Sequence, residues 1–176
     1  EEVMNQVPEE RALNFALGYN SISSYSNTQS MRLSAVYAAT NMISNSCALL
    51  PMKVISYKGG RKREIEHPLT HILNLKPNTR YNHFNFMKLL IESLILKGNG
   101  YAYIERDENL NVKSLQLINA DFVTPMLQPD GTMKYIVAGV DKAIDAINMI
   151  HLYQHCDDLG NGLSVIKYAD MCLSGA

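Results

Sequence analysis

The stretch FNFMKLLIESLILKGNGYAYIER, Phe84–Arg106, constrains this chain more than any other part of it. Apolar residues at Phe84, Met87, Ile91, Leu94 and Ile95 follow the spacing of three and four that marks one side of a helix, with Asn85, Lys88 and Glu92 expected on the wet side. The pattern stops at Gly98-Asn99-Gly100, and a strand with two tyrosines, Tyr101 and Tyr103, follows at once. Glycine and asparagine tolerate the left-handed backbone that ends a helix, because neither meets the full Cβ penalty there. A tight corner between a helix and a strand is therefore predicted, and any fold for this chain has to accommodate it.

At 176 residues the chain is long enough for one domain with a sizeable core. A formal charge of −1 gives no overall basic field, so contact with nucleic acid would have to be local. Three cysteines, Cys47, Cys156 and Cys172, are widely spaced and form no CxxC pair, which fits a reducing compartment and not a disulfide scaffold. Residues 1–33 read as a flexible arm: Asn20–Ser30 is a run of polar residues too poor in apolar area to order itself, and a short helix near Glu9–Leu17 would need a surface to dock on. The abrupt end near Leu163–Ala176 reads as a helix barely begun, so the chain is expected to be an excerpt of a longer protein.

From Ser34, a plausible cap, a helix is predicted to about Leu49, with Val36, Tyr37, Thr40, Ile43, Cys47 and Leu50 on one stripe and Pro51 ending it. Its span Leu33–Met52 carries no charge, but Ser34, Thr40, Asn41, Ser44, Asn45 and Ser46 are too polar for a lipid-facing helix. Next come a hairpin, Met52–Tyr57 and Arg61–Ile65, around Gly59-Gly60, and a short helix, Leu69–Leu75, with Pro68 in its first position. The hairpin tip holds Lys58, Arg61, Lys62 and Arg63, which is either a solvated end or a contact for phosphate, the solvated end being the commoner case. Beyond the corner, Tyr101–Arg106, Lys113–Ile118, Phe122–Leu127 and Met133–Ala138 read as an antiparallel meander, with Asn148–Tyr153 as a further strand. The fold class is α+β: several helices packed on a mainly antiparallel sheet of short strands.

Chemistry is scarce. His67 and His71 stand four apart, as metal ligands on a helix can, but no third ligand sits at a supporting spacing, so they read as surface or capping residues. The densest polar group is His151, His155, Cys156, Asp157 and Asp158. A hydrolase reading would let His151, His155 and Asp157 hold a cation that acidifies a bound water. None of the established metal spacings is matched, and no phosphate-binding loop, nucleophile elbow or Ser/His/Asp arrangement is visible. A generic protein-binding module is the other alternative.

Taken in order, six stretches resemble the portal proteins of long-tailed double-stranded DNA bacteriophages. SAVYAATNMISNSCALLP (Ser34–Pro51) resembles the family's opening helix, and HPLTHILNLKPN (His67–Asn78) its short helix ending in Pro-Asn. LILKGNGYAYIER (Leu94–Arg106) resembles the family's hydrophobic helix running into Gly-Asn-small-Tyr. VKSLQLI (Val112–Ile118), the IHL at Ile150–Leu152 and GNGLSVIKYA (Gly160–Ala169) continue the order. The chain departs from the family at Asn119-Ala120, where prolines are frequent, and at Ser164-Val165, where Ser-Pro is usual.

The resemblance implies that residues 34–176 are a partial portal core, wing-like, with stem and clip beyond the chain. It gives a geometric task to Pro51, Pro77, Asn78, Gly98, Asn99, Gly100, Tyr101, Gly162 and Ser164. It further implies a structural subunit with no catalysis and no cofactor, in a ring of about twelve copies at one capsid vertex of the virion, assembled in the host cytoplasm. Its implied partners are double-stranded DNA passing through the channel, the large terminase subunit, capsid or scaffolding protein and a head–tail adaptor, with no membrane.

Overall fold

A computed structural model describes residues 34–157, 160–164 and 166. The expected arm over residues 1–33, Asp158, Cys172 and most of the helix expected from Leu163 lie outside the described residues. The order is helix α1 (Ser34–Ala48), strands β1 (Ile55–Lys58) and β2 (Arg61–Glu64), helices α2 (Pro68–Asn74) and α3 (His83–Lys97), then β3 (Asn99–Arg106) and β4 (Val112–Ile118). After a 3-10 turn at Ala120–Phe122 come β5 (Val123–Leu127), β6 (Met133–Val137), the short β7 (Ile144–Asp145) and β8 (Met149–Tyr153).

Local chemistry sets these boundaries. Ser34 lies within α1 and is not its cap. In α2 Pro68 occupies the start, where its missing N–H costs nothing, and His67 Nδ1 accepts from Leu69 N at 3.1 Å, which makes that histidine a cap. Asn82 Oδ1 caps α3 by accepting from Asn85 N at 2.9 Å. At the other end Gly98 takes φ 81°, ψ −11°, and its N–H reaches Leu94 O at 2.9 Å.

The β strands do not form one meander. β3 is the centre of a three-stranded sheet in the order β4-β3-β8, and β5-β6-β7 is a second sheet, all pairings being antiparallel. The break falls where Asn119 Oδ1 caps the 3-10 turn by accepting from Asp121 N at 3.2 Å, which redirects the chain. Pro125, within β5, has no N–H to offer a further neighbour and suits the edge strand in which it lies.

Because side chains alternate along a strand, β3 serves two cores at once. Ala102 faces a cluster with Phe86, Leu90 and Leu115, which joins the sheet to α3. Tyr101 faces the opposite cluster, with Ile118, Val123, Tyr135, Val137 and Met149, which joins the two sheets. The α3 stripe is therefore not the predicted one. Phe86, Leu90 and Ser93 are buried, whereas Phe84, Met87, Ile91, Leu94 and Ile95 are half-buried, as are Lys88 and Glu92 from the expected wet side. The helix is covered on two sides, by the sheet and by α1, so a one-sided pattern has no single face to mark.

Helix α1 also differs from its expected stripe. Among its described side chains Thr40, Ser44 and Ala48 are buried, and burial raises the carboxyl pKa of Glu92 on α3, which hydrogen-bonds Ser44. Tyr37, Met42, Ile43, Leu49 and Leu50 are exposed. Small residues let the two helices approach closely, and the large apolar ones are turned outward. Among the described residues no helix is long and apolar enough to cross a membrane.

Candidate functional site

The corner predicted at Gly98-Asn99-Gly100 is where the chain's distant parts meet. Asn99 lies at the start of β3, and its side-chain amide pairs with the backbone of Gly162 as a strand neighbour would. Oδ1 accepts from Gly162 N at 2.7 Å, and Nδ2 donates to Gly162 O at 3.0 Å. Gly162 faces Cys156 in an isolated antiparallel bridge whose bonds run from Leu163 N to His155 O and from Asp157 N to Asn161 O, and the two-pronged bond from Asn99 satisfies the Gly162 N–H and C=O on the other side. Ser164 continues the seam by donating its hydroxyl to Leu96 O at 2.8 Å, an open carbonyl in the last turn of α3. From inside the same turn, Ser93 Oγ donates to Asn99 O at 2.8 Å.

The glycines are dictated by proximity. A Cβ on Gly162 would lie 2.0 Å from Gly98 O, and one on Gly98 would lie 2.5 Å from the Leu163 carbonyl carbon. A Cβ on Gly100 would stand 2.8 Å from Leu90 O. Backbone meets backbone at each of these points, so no side-chain rearrangement relieves the overlap.

His151, on β8, completes the arrangement. Its Nε2 lies 2.9 Å from Asn99 Oδ1, and since that oxygen already accepts from Gly162, the ring nitrogen must donate. The other nitrogen, Nδ1, is then free to accept from the Tyr135 hydroxyl at 3.4 Å. The ring stacks on Tyr101 with centroids 4.3 Å apart. Burial pushes the His151 pKa down to about 4, so the ring is neutral at pH 7, as the bonding pattern requires. Burial also raises the Tyr101 phenol, with Tyr135 adding to the effect, and the Tyr101 hydroxyl has no hydrogen-bond partner among the described residues.

The residues considered for a metal site are not brought together. His151 is turned to Asn99, His155 is exposed, and Asp157 staples its own loop by accepting from Asn161 N at 2.8 Å and Asn161 Nδ2 at 3.1 Å. The loop at Asp107–Asn111 repeats that geometry, with Asn111 N and Nδ2 donating to Asp107 at 2.8 and 3.2 Å. Asp157 thus has the same turn-forming part as Asp107. Among the described residues no group of three or more His, Cys, Asp and Glu side chains could hold a metal ion.

The remaining motif positions lie elsewhere. Asn78 is buried and docks the end of α2 onto β4: Nδ2 donates to Leu115 O at 2.7 Å, while Oδ1 accepts from Arg80 N and Tyr81 N at 2.9 and 2.7 Å. Pro77 O accepts from Leu115 N at 2.8 Å beside it, whereas Pro51 is exposed. Sequence reasoning missed Ser93 and Tyr135, and it weighed His151 only as a candidate metal ligand in an alternative reading, not as a partner of Asn99. A small polar residue on the inner side of α3 was the only available signal for the first.

The family model described as phage portal protein matches residues 34–176, and the chain belongs to that family. It is 29% identical over 103 residues to the portal protein of Enterobacteria phage HK97, a match covering 57% of this chain and 24% of that protein. Its fold resembles a chain in the neck of an empty GTA particle computed with C6 symmetry, with a TM-score of 0.66 and 22% identity over 84% of this chain and 42% of the other. A chain in the neck of a native GTA particle computed with C12 symmetry matches with a TM-score of 0.60 and 20% identity, over 79% and 37% of the two chains. The chain therefore spans less than half the length of each of these relatives.

Proposed function

We propose that this chain is the wing-like part of a portal subunit, a structural element of a ring at one vertex of a virus head. The observation that carries the reading is the family match over residues 34–176. The likeness in fold to chains from necks of sixfold and twelvefold symmetry supports a closed homo-oligomer of about twelve copies in the virion. In that assembly the ring forms the channel for DNA packaging and ejection, offers a surface to the terminase motor and joins head to tail. The subunit itself carries out no catalysis and takes no cofactor; assembly proceeds in the host cytoplasm, with scaffolding or capsid protein around it.

The geometry suits this task. The corner ties residues 162–164 to the helix–strand junction, and the cluster around Tyr101 packs that strand against the second sheet. The outward apolar side of α1 and the turn after it, with Tyr37, Met42, Ile43, Leu49 and Leu50 exposed, is of the kind buried by further protein in a larger assembly. Electron microscopy of the full-length protein that contains this region is the test. A closed ring with a central channel is expected, and a strict monomer at assembly concentrations would contradict the reading. Stoichiometric zinc or manganese in the purified protein would contradict the absence of catalytic chemistry.

A further inference from the structure

The β1–β2 hairpin stands apart from both sheets and pairs only with itself. Gly59 and Gly60 have φ of 59° and 73°, the mirror-image turn whose twist matches that of the flanking strands. The register sets Lys58 opposite Arg61, Tyr57 opposite Lys62, Ser56 opposite Arg63 and Ile55 opposite Glu64. Strand alternation then sorts the ribbon into two unlike faces. One carries Ser56, Lys58, Arg61 and Arg63; the other carries Ile55, Tyr57, Lys62 and Glu64.

Charge neutralisation is confined to the second face. Glu64 is held there by Lys53 at 2.7 Å, and the Lys62 ammonium lies 5.6 Å from the centroid of the Tyr57 ring. On the first face Lys58, Arg61 and Arg63 are exposed and make no ion pair among the described residues. We propose that this face, Ser56 with Lys58, Arg61 and Arg63, contacts the phosphate backbone of a nucleic-acid duplex without reading its bases.

The composition of the face favours phosphate over an acidic protein surface: it holds three cations and a hydroxyl, the groups that bind phosphate oxygens, and no apolar or aromatic side chain. The chain's net charge of −1 makes such a contact local, so it can guide a duplex without gripping it over a large area.

The test compares full-length protein with the combined Lys58→Gln, Arg61→Gln, Arg63→Gln variant and with Lys62→Gln, which alters the other face. Binding to a mixed-sequence DNA duplex is followed by fluorescence anisotropy across a salt series, with polyglutamate as a second probe. Circular dichroism and electron microscopy of the same samples read folding and ring formation, so failure of the ribbon assignment is distinguishable from failure of the portal reading. Three lost phosphate contacts should reduce the steepness of log affinity against log salt by about 2.7, and lower affinity on the order of several hundredfold at 0.1 M salt. Lys62→Gln should leave the slope unchanged, and polyglutamate, a flexible polyanion, should lose less affinity for the triple variant than the duplex does. An unchanged slope and affinity in the triple variant, an equal loss in Lys62→Gln, or a loss confined to polyglutamate would each overturn the assignment.

Discussion

Two pairs of glycines divide this molecule. Gly98 and Gly162 lie where two backbones press together, and a Cβ on either would stand within 2.5 Å of a main-chain atom. Gly59 and Gly60 turn the outer hairpin, and nothing lies within 4 Å of where their Cβ atoms would be. At the corner, glycine answers both to its neighbours and, at Gly98, to a left-handed backbone. In the hairpin it answers to backbone alone. The same residue therefore marks a structural hub in one place and a free tip in the other, and the two should respond very differently to substitution.

The largest effect is expected from Gly162→Ala. With Gly98 O only 2.0 Å from the new methyl, the seam has to open, at a cost of about 3 kcal/mol by the usual penalty for overpacking. Gly100→Val, against Leu90 O, should behave similarly and lower stability and assembly yield together. Thermal denaturation measures the first quantity and ring yield by electron microscopy the second; normal melting of either variant would break the contrast between corner and tip.

Asn99→Asp comes next. A carboxylate keeps the oxygen that accepts from Gly162 N and His151 Nε2, but it puts an acceptor where Nδ2 now donates to Gly162 O. A lost donor facing a carbonyl should cost about 2 kcal/mol, read from a denaturant melt. Asn99→Ala removes all three bonds and should cost at least as much.

These expectations show how far the sequence could be read. Gly98-Asn99-Gly100 is local, and its helix-stop chemistry is plain in seven or eight letters. Its partner Gly162 is 63 residues away in the chain, and no local pattern tells an asparagine which loop it will clamp. His151 illustrates the same limit: beside His155 and Asp157 it looks like a ligand, but strand pairing with Tyr101 places it beside Asn99. The strands were legible from turns and alternation, whereas their division into two sheets depended on the Asn119 turn and on β8 returning to β3. The stripe on α1 misled because its small residues face α3 while its large apolar ones are exposed, and the stripe on α3 because that helix is covered on two sides.

A pH-dependent effect, absent at neutral pH, follows from His151. Its folded pKa, about 4, lies below the unfolded value of 6.5, so the unfolded chain binds more protons between those limits. Stability from this group is complete above about pH 6.5, declines as pH falls toward 4 and changes no further below that. His151→Asn should flatten that part of a stability profile measured by denaturant melts at successive pH values. An unaltered slope in the variant would remove His151 from the corner's energetics.

The smallest change is expected at the tip. Gly59→Ala forces a left-handed alanine but meets no neighbour, so it should cost about 1 kcal/mol. A loss as large as that of Gly162→Ala would mean that the hairpin is packed in the assembled protein and that corner and tip are alike.

The central claim is that the corner clamps a distant loop to the helix–strand junction, and the Gly162 amide reports on it directly. Native-state hydrogen exchange at that amide in the full-length protein should show strong protection, although the bridge between Gly162 and Cys156 does not use it, because its N–H is held by Asn99 Oδ1 at 2.7 Å. Protection should collapse in Asn99→Ala while the amides of α3 and β3 stay protected. Exchange at Gly162 as fast in the parent as in an open loop would contradict the account.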